Sequence, residues 1–358
     1  MRLIVTGGGT GGHVYPALEI ARAAADGGHD VMYFGSHRGQ EKAVCEKAGI
    51  VFRGFNSEPF LGIRSLNGWK SGWNLFWAGQ KAKRVIRHAD VDVVFSTGGY
   101  SSSPVVSAAR ALEIPYVLLE QNSVPGRVNK GAGPDAVAVC TVFKETERYF
   151  RGSKVVRTGM PIRRELRERA SFASGRPGKR MVLVMGGSQG AAVLNQAALA
   201  VAKSLGSGVR WLHLTGKAHF EEVALRVATD LSEVEYEVKP FLDGLEMADA
   251  LASASVAVCR SGAGTVSELA AFRIPSVLIP FPAAHGDHQL HNAKELEAMG
   301  ACVLVEQSTL SSERLRSAIT GWTSDESRRK KAMESLTDWD RPEATAAILV
   351  LLEEAAAA

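Results

Sequence analysis

His13 directly follows Gly7-Gly8-Gly9-Thr10-Gly11-Gly12, a glycine loop that ends where an apolar-periodic helix begins. An imidazole titrates near working pH, so from that place it can take a proton from a substrate hydroxyl. The same ring can equally serve to orient the loop. Glu268 lies four residues past Gly264 in another such loop, Arg260-Ser261-Gly262-Ala263-Gly264-Thr265-Val266-Ser267-Glu268. That spacing is about one helical turn. A carboxylate there can accept from two sugar hydroxyls while the loop amides face a phosphate. Arg163 offers a fixed cation with paired donors, which suits phosphate. By residue type alone, though, Glu268 reads first as a surface helix acid and Arg163 as half of a surface ion pair. Glu120 is a second candidate base, or else a loop carboxylate that satisfies backbone amides.

Two further loops, Ser96-Thr97-Gly98-Gly99-Tyr100-Ser101 and Gly186-Gly187-Ser188-Gln189-Gly190, have the same setting. Each of the four follows a strand-like run and precedes a helix. Glycine allows a sharp turn and close approach to a ligand, and helix-start amides favour anions. One such loop is no more than a tight turn; four together point to a bound nucleotide. Gly7, Gly9 and Gly12 also satisfy the dinucleotide fingerprint. That reading expects an acid at the end of the second strand, where the chain has Gly35-Ser36-His37-Arg38. Arg38 fits a 2′-phosphate, so an NADP or flavin oxidoreductase stays open. No GxxxxGK[ST] occurs, which excludes a kinase-type P-loop. Asp90-Val91-Asp92 has the form of a DxD metal motif but begins a strand, away from the ligand end, so no metal site is expected.

The elements that must carry these loops alternate. Arg2–Thr6, Val31–Phe34, Val91–Phe95 and Tyr116–Leu119 read as strands, with a helix over Pro16–Gly27. The pattern restarts at Arg180–Ala200 as strand, glycine loop and helix, followed by strands at Val209–Leu214, Val256–Cys259 and Ser276–Pro280. Strands spaced by helices predict parallel βαβ units, and the restart predicts an α/β protein of two Rossmann-like, doubly wound domains facing a cleft. The small, polar stretch Ala170–Lys179 marks the linker region. The domains are read as 1–165 and 166–340, with a helix at 341–358 that has no following strand to cover and can pack back on the N-terminal domain.

The 358 residues fit two domains. Hydrophobic residues at 46% and charged residues at 22% exclude a disordered or fibrous chain. Four scattered cysteines make no zinc or disulfide pattern, which fits a reducing interior. No apolar run reaches the roughly 18 residues of a spanning helix. Residues 1–160 hold 20 Lys+Arg against 13 Asp+Glu, a charge of +7, whereas 161–358 hold 22 against 25, a charge of −3. The first half should therefore prefer an anionic ligand or surface. No basic helix or aromatic-and-basic sheet motif points to nucleic acid.

Six segments in order, GGTGGHVYPAL, STGGYSS, EQNSVPGRVNK, TGMPIR, GGSQGA and CRSGAGTVSE, resemble the MurG-type N-acetylglucosaminyltransferases. The resemblance runs from about Met1 to Asn292. It implies the GT-B fold, with the acceptor mainly on the N-terminal domain and the donor mainly on the C-terminal one. It implies transfer of N-acetylglucosamine from UDP-GlcNAc, with inversion, to undecaprenyl-pyrophosphoryl-MurNAc-pentapeptide, turning lipid I into lipid II in the last intracellular step of peptidoglycan precursor synthesis. A GT-B transferase for another acceptor is the nearest alternative. By the same resemblance Thr10, Gly11 and Gly12 approach donor sugar and acceptor, and Asn122 contacts the sugar. Arg163 and Ser188 match donor-phosphate contacts, and Leu242 an aliphatic contact to uracil. Ala263, Gly264, Thr265, Val266, Ser267 and Glu268 match the diphosphate and ribose loop, and Gln289 the glutamine that reaches the GlcNAc hydroxyls. No cofactor is implied. Inverting transfer needs a base and no protein nucleophile, which is the role His13 fits.

Trp69, Trp73 and Trp77 recur at helical spacing within Phe60–Arg87, accompanied by Lys70, Lys81, Lys83, Arg84 and Arg87. Tryptophan beside basic residues suits an anionic lipid interface. The same stripe could instead pack on the sheet. With a lipid-linked acceptor, the interface reading places the protein peripherally on the cytoplasmic face of the cell membrane.

Overall fold

In the computed structural model the described residues are 1–37, 39–55, 66–171, 180–187 and 189–358. The chain divides into two compact units, Met1–Arg163 with Arg341–Ala358, and Arg164–Asp340. The first unit opens with β1 (Arg2–Thr6), α1 (Gly11–Asp26), β2 (Asp30–Ser36), α2 (Glu41–Ala48), β3 (Val51–Phe55) and α3 (Leu66–His88). It continues with β4 (Val93–Ser96), α4 (Ser103–Ala111), β5 (Tyr116–Glu120), α5 (Arg127–Ala132), β6 (Ala138–Thr141) and β7 (Val155–Val156). All of its strands are parallel, in the order β3-β2-β1-β4-β5-β6-β7.

Central strands buried on both faces read as continuous apolar runs, and β1, β4 and β5 are of this kind. Ile4, Phe34, Val94 and Leu118 fill one layer against Ala82 and Ile86 of α3 and Val105 and Ala109 of α4. Helix α1 starts five residues before the periodicity predicts and accommodates Pro16 inside its length. Its first turn is made of the loop glycines, which carry no apolar signal.

The second unit holds α6 (Arg164–Ser171), β8 (Met181–Met185), α7 (Ala192–Leu205), β9 (Arg210–Leu214), α8 (Phe220–Asp230), β10 (Tyr236–Lys239) and α9 (Gly244–Ser253). It goes on through β11 (Val256–Cys259), α10 (Ala263–Ala271), β12 (Ser276–Leu278), α11 (His288–Ala298), β13 (Cys302–Leu304), α12 (Ser312–Ser324) and α13 (Glu326–Trp339). Its parallel sheet runs β10-β9-β8-β11-β12-β13. Val182, Val184, Val256 and Val258 of the central strands pack with Leu194, Ile319 and Trp322. Helix α14 (Ala344–Ala357) returns to the first unit, where it packs on α1, β4 and β5 with Ile348 and Leu352 fully buried.

Both sheets thus have the same order about their first strand. In such sheets the strands stay parallel but the chain's progress across the sheet reverses between the first and fourth strands, and ligands bind outside the carboxyl ends there. The reversal points are β1/β4 and β8/β11. The loops that leave those four strands are the four glycine loops. Asp90 and Asp92 sit at the opposite end, where both carboxylates bond Arg2.

Candidate active site and its family

In the first unit the loops after β1 and β4 lie backbone against backbone. A Cβ on Gly99 would stand 2.3 Å from the Gly8 carbonyl oxygen, and Gly99 has a φ of +82°, so only glycine fits. The contact brings His13 to Thr97. His13 Nδ1 lies 2.8 Å from the Thr97 carbonyl oxygen, and Thr97 Oγ1 donates to the His13 carbonyl at 2.8 Å. A carbonyl oxygen carries no proton, so Nδ1–H is the donor. In the neutral ring the lone pair is then on Nε2. The ring is half-buried at the start of α1. Thr10 caps that helix without a side-chain bond, and the Gly11 and Gly12 amides belong to the first turn, where no intrahelical acceptor exists. Arg163 places its guanidinium 5.4 Å from the Tyr15 ring, on the same helix start.

Glu120 is a loop carboxylate. Its Oε1 accepts from the Asn122 amide at 3.0 Å, and its Oε2 from the Gly126 amide and Asn129 Nδ2, each at 3.0 Å. Burial lifts its carboxyl above the usual range, and those hydrogen bonds pull it back only in part. With both oxygens engaged it builds the turn that carries Asn122 and is closed to a substrate hydroxyl. Thr146 holds that turn from the other side through the Asn122 carbonyl.

In the second unit α10 starts at Ala263 behind Gly262, again without a side-chain cap. Gly262, Gly264, Thr265 and Glu268 form its half-open edge, whereas Ala263, Val266 and Ser267 turn inward. The Val266 amide is already bonded to the Gly262 carbonyl. The groups this loop can offer an anion are therefore the amides of Ala263, Gly264 and Thr265, with the Glu268 carboxylate one turn above. Gln289 is held for a donor role: its Oε1 accepts from the Phe281 amide at 3.0 Å, which leaves Nε2 as its donating end. Ser261 Oγ and Asn292 Nδ2 tie the two segments together through the Gln289 and Ser261 carbonyls. Arg260 braces the neighbouring turn through the Ile279 and Pro280 carbonyls and Gln307. Leu242 is only 7% exposed, and the open apolar side chains beside it are Phe241 and Leu245. Ser188, like Arg38, lies outside the described residues.

Behind the loop after β8 is a buried polar chain. Asn195 Nδ2 donates to the Thr215 carbonyl, so Asn195 presents Oδ1 to His213 Nε2 at 3.0 Å, and His213 Nδ1 meets the Tyr236 hydroxyl at 2.8 Å. Burial pushes the His213 imidazole from 6.5 down to about 4. The unfolded chain then binds the extra proton between those values and the folded chain does not, so the stability His213 contributes above pH 6.5 is lost as pH falls toward 4. By pH 5 the loss is about 2 kcal/mol. Urea unfolding of the second unit at pH 7.5 and pH 5 should show that loss in the wild type and little of it in His213→Gln. Equal pH dependence in the two proteins would remove the assignment.

Sequence reasoning did not find Thr97 as the partner of His13. The two are 84 residues apart and meet only because β1 and β4 are neighbours.

Residues 3–141 match the glycosyltransferase family 28 N-terminal domain, and residues 181–344 match the glycosyltransferase family 28 C-terminal domain. The chain is 36% identical over 374 residues to the UDP-N-acetylglucosamine--N-acetylmuramyl-(pentapeptide) pyrophosphoryl-undecaprenol N-acetylglucosamine transferase of Halothermothrix orenii, covering 99% of both. It is 34% identical to the Bacillus subtilis protein of the same name, again over 99% of both. Among solved structures, Acinetobacter baumannii MurG superposes with a TM-score of 0.81 at 29% identity, covering 99% of each chain. With both family domains matched in order and full-length relatives at this identity, the chain belongs to glycosyltransferase family 28.

Proposed function

We propose that the protein transfers N-acetylglucosamine from UDP-GlcNAc to the lipid-linked muramyl-pentapeptide acceptor named in its relatives. The observation that carries the reading is the fixed His13 ring at the start of α1, whose Nδ1–H is held by the Thr97 carbonyl, so that in the neutral ring Nε2 carries the lone pair. In the reaction, Nε2 takes the proton of the acceptor hydroxyl as the new bond to the sugar's anomeric carbon forms. The bond from that carbon to the diphosphate breaks, and UDP leaves. Attack from the face opposite the leaving group inverts the anomeric carbon. The amides of Ala263, Gly264 and Thr265 and the Arg163 guanidinium receive the charge that develops on the diphosphate. Glu268 accepts from the ribose hydroxyls. Gln289 Nε2 and Asn122 address the GlcNAc, and Thr10, Gly11 and Gly12 the sugar and acceptor.

A thermal-shift panel followed by a transfer assay tests this. UDP-GlcNAc at a hundredfold its Kd should stabilise the protein by about 2.7 kcal/mol, while NADPH should not. The assay with a short-chain, water-soluble acceptor should then yield the disaccharide product. Stabilisation by NADPH instead, or no transfer, would replace this reading.

The acceptor's lipid favours a peripheral position at the cytoplasmic face of the membrane, against an anionic surface. Among the described residues no helix is long and apolar enough to cross a membrane. Trp73 and Trp77 are 64% and 54% exposed on α3 and pack edge-on, 5.9 Å between ring centres. Further along that helix Lys81 and Arg84 join Lys42 and Arg53 around a groove of about 780 Å³, with no acidic residue among the described residues that line it. The side chain of Trp69 lies outside what is described. Trp73→Ser with Trp77→Ser should leave the melting temperature nearly unchanged, because neither ring is core. It should weaken binding to phosphatidylglycerol vesicles and slow transfer to a long-chain acceptor more than to a short-chain one. Unaltered vesicle binding would sink the membrane role, and unfolding would show the rings to be structural.

A further inference from the structure

The first residue of α2, Glu41, is a carboxylate with no exposed surface, lodged under the first glycine loop. Its Oε1 accepts the Gly9 amide at 3.2 Å, and its Oε2 has no hydrogen-bond partner among the described residues. Burying a carboxylate for one neutral hydrogen bond is costly. The backbone around it is shaped to admit it. A Cβ on Gly8 would fall 1.8 Å from Oε1, and one on Gly39 would fall 1.6 Å from Oε2. The same point on Gly8 lies 2.5 Å from Ser101 Oγ, a second buried oxygen without a partner among the described residues, contributed by the loop after β4. Two residues before the Gly9 amide, the Gly7 carbonyl accepts the buried Tyr33 hydroxyl at 2.6 Å. The loop is thus gripped twice from the β2–α2 side, once by its carbonyl at Gly7 and once by its amide at Gly9.

We infer that Glu41 is a positioning residue for transfer. By drawing the Gly9 amide inward, it sets the Gly8–Gly9 peptide, whose carbonyl faces Gly99, and so fixes the approach to Thr10 and where α1 begins, and with it the place of Gly11, Gly12 and His13. Without the carboxylate the Gly9 peptide is free to rotate. The helix start then loses its register against Thr97. This rests on the proposed role of the first loop, but the grip itself can be read without any substrate.

Three proteins test it: wild type, Glu41→Ala and Glu41→Gln. A carboxamide keeps an acceptor oxygen and nearly the same shape, so Gln should hold the Gly9 amide and Ala should not. Hydrogen exchange should find the Gly9 amide protected in wild type and Glu41→Gln and unprotected in Glu41→Ala. In the transfer assay Glu41→Ala should lose about 10²-fold in kcat, with the Kd for UDP-GlcNAc unchanged and Glu41→Gln restoring most of the rate. Equal Gly9 protection in all three proteins overturns the inference, as does a Glu41→Gln rate as low as that of Glu41→Ala. If no protein transfers sugar, the function reading fails while the exchange result still decides the grip.

Discussion

Replacing His13 with alanine should lower kcat for sugar transfer by about 10²–10⁴-fold, the usual worth of a positioned general base. UDP-GlcNAc affinity should stay close to wild type, because the donor contacts assigned above do not include the ring. The decisive comparison is with His13→Asn. An asparagine amide can donate to the Thr97 carbonyl in place of Nδ1–H, which stands 2.8 Å away, and so can still orient the loop. It has no basic nitrogen. If His13 acts as the base, Asn and Ala should be equally slow. If it serves only to join the loops after β1 and β4, Asn should recover most of the rate. Initial rates with a short-chain acceptor separate the two cases. Wild-type turnover in His13→Ala would discard both.

Glu268→Ala should weaken UDP and UDP-GlcNAc by about 1.5–3 kcal/mol, or roughly 10–150-fold in Kd, which is what a charged hydrogen bond contributes. The carboxylate stands on the half-open edge of α10 while Val266, Leu269 and Ala270 hold that helix to the sheet. The melting temperature of the unliganded protein should therefore hardly move. A sharper arm uses the ligand. The wild type should prefer UDP to its 2′-deoxy analogue, and that preference should vanish in Glu268→Ala because the partner of the missing hydroxyl is gone. Calorimetric titration reads both affinities. A variant that keeps the full preference would place the ribose elsewhere.

Much of this arrangement is legible in the chain because its strongest signals are local. Val256–Cys259 and the Leu3–Val5 centre of Arg2–Thr6 are uninterrupted apolar runs, each followed by a glycine loop, and the strands form over Val256–Cys259 and Arg2–Thr6 as read. Strand β10 was not predicted, because Tyr-Glu-Val-Lys alternates at the sheet edge and half of it faces water. Strand β3 escaped for a similar reason, its Val51 being exposed. The residue types of the site were readable, but their partners were not. His13 with Thr97, Glu41 with Gly9, and His213 with Asn195 are pairings between elements, created only when parallel strands take their places in the sheet. Glu120 shows the converse: its type allowed either a base or a loop carboxylate, and its local donors make it the second.

Helix α14 belongs to the first unit although the whole second unit precedes it in the chain. During synthesis the ribosome therefore releases Arg164–Asp340, a contiguous segment, before the first unit has received its last helix. The second unit can complete its fold as it emerges. Until α14 arrives, β4 and β5 lack the cover that Ile348 and Leu352 provide. The half of the molecule made first is thus the half finished last. A chain cut short before Arg341 would expose the first unit, and not the second, to chaperones and proteases.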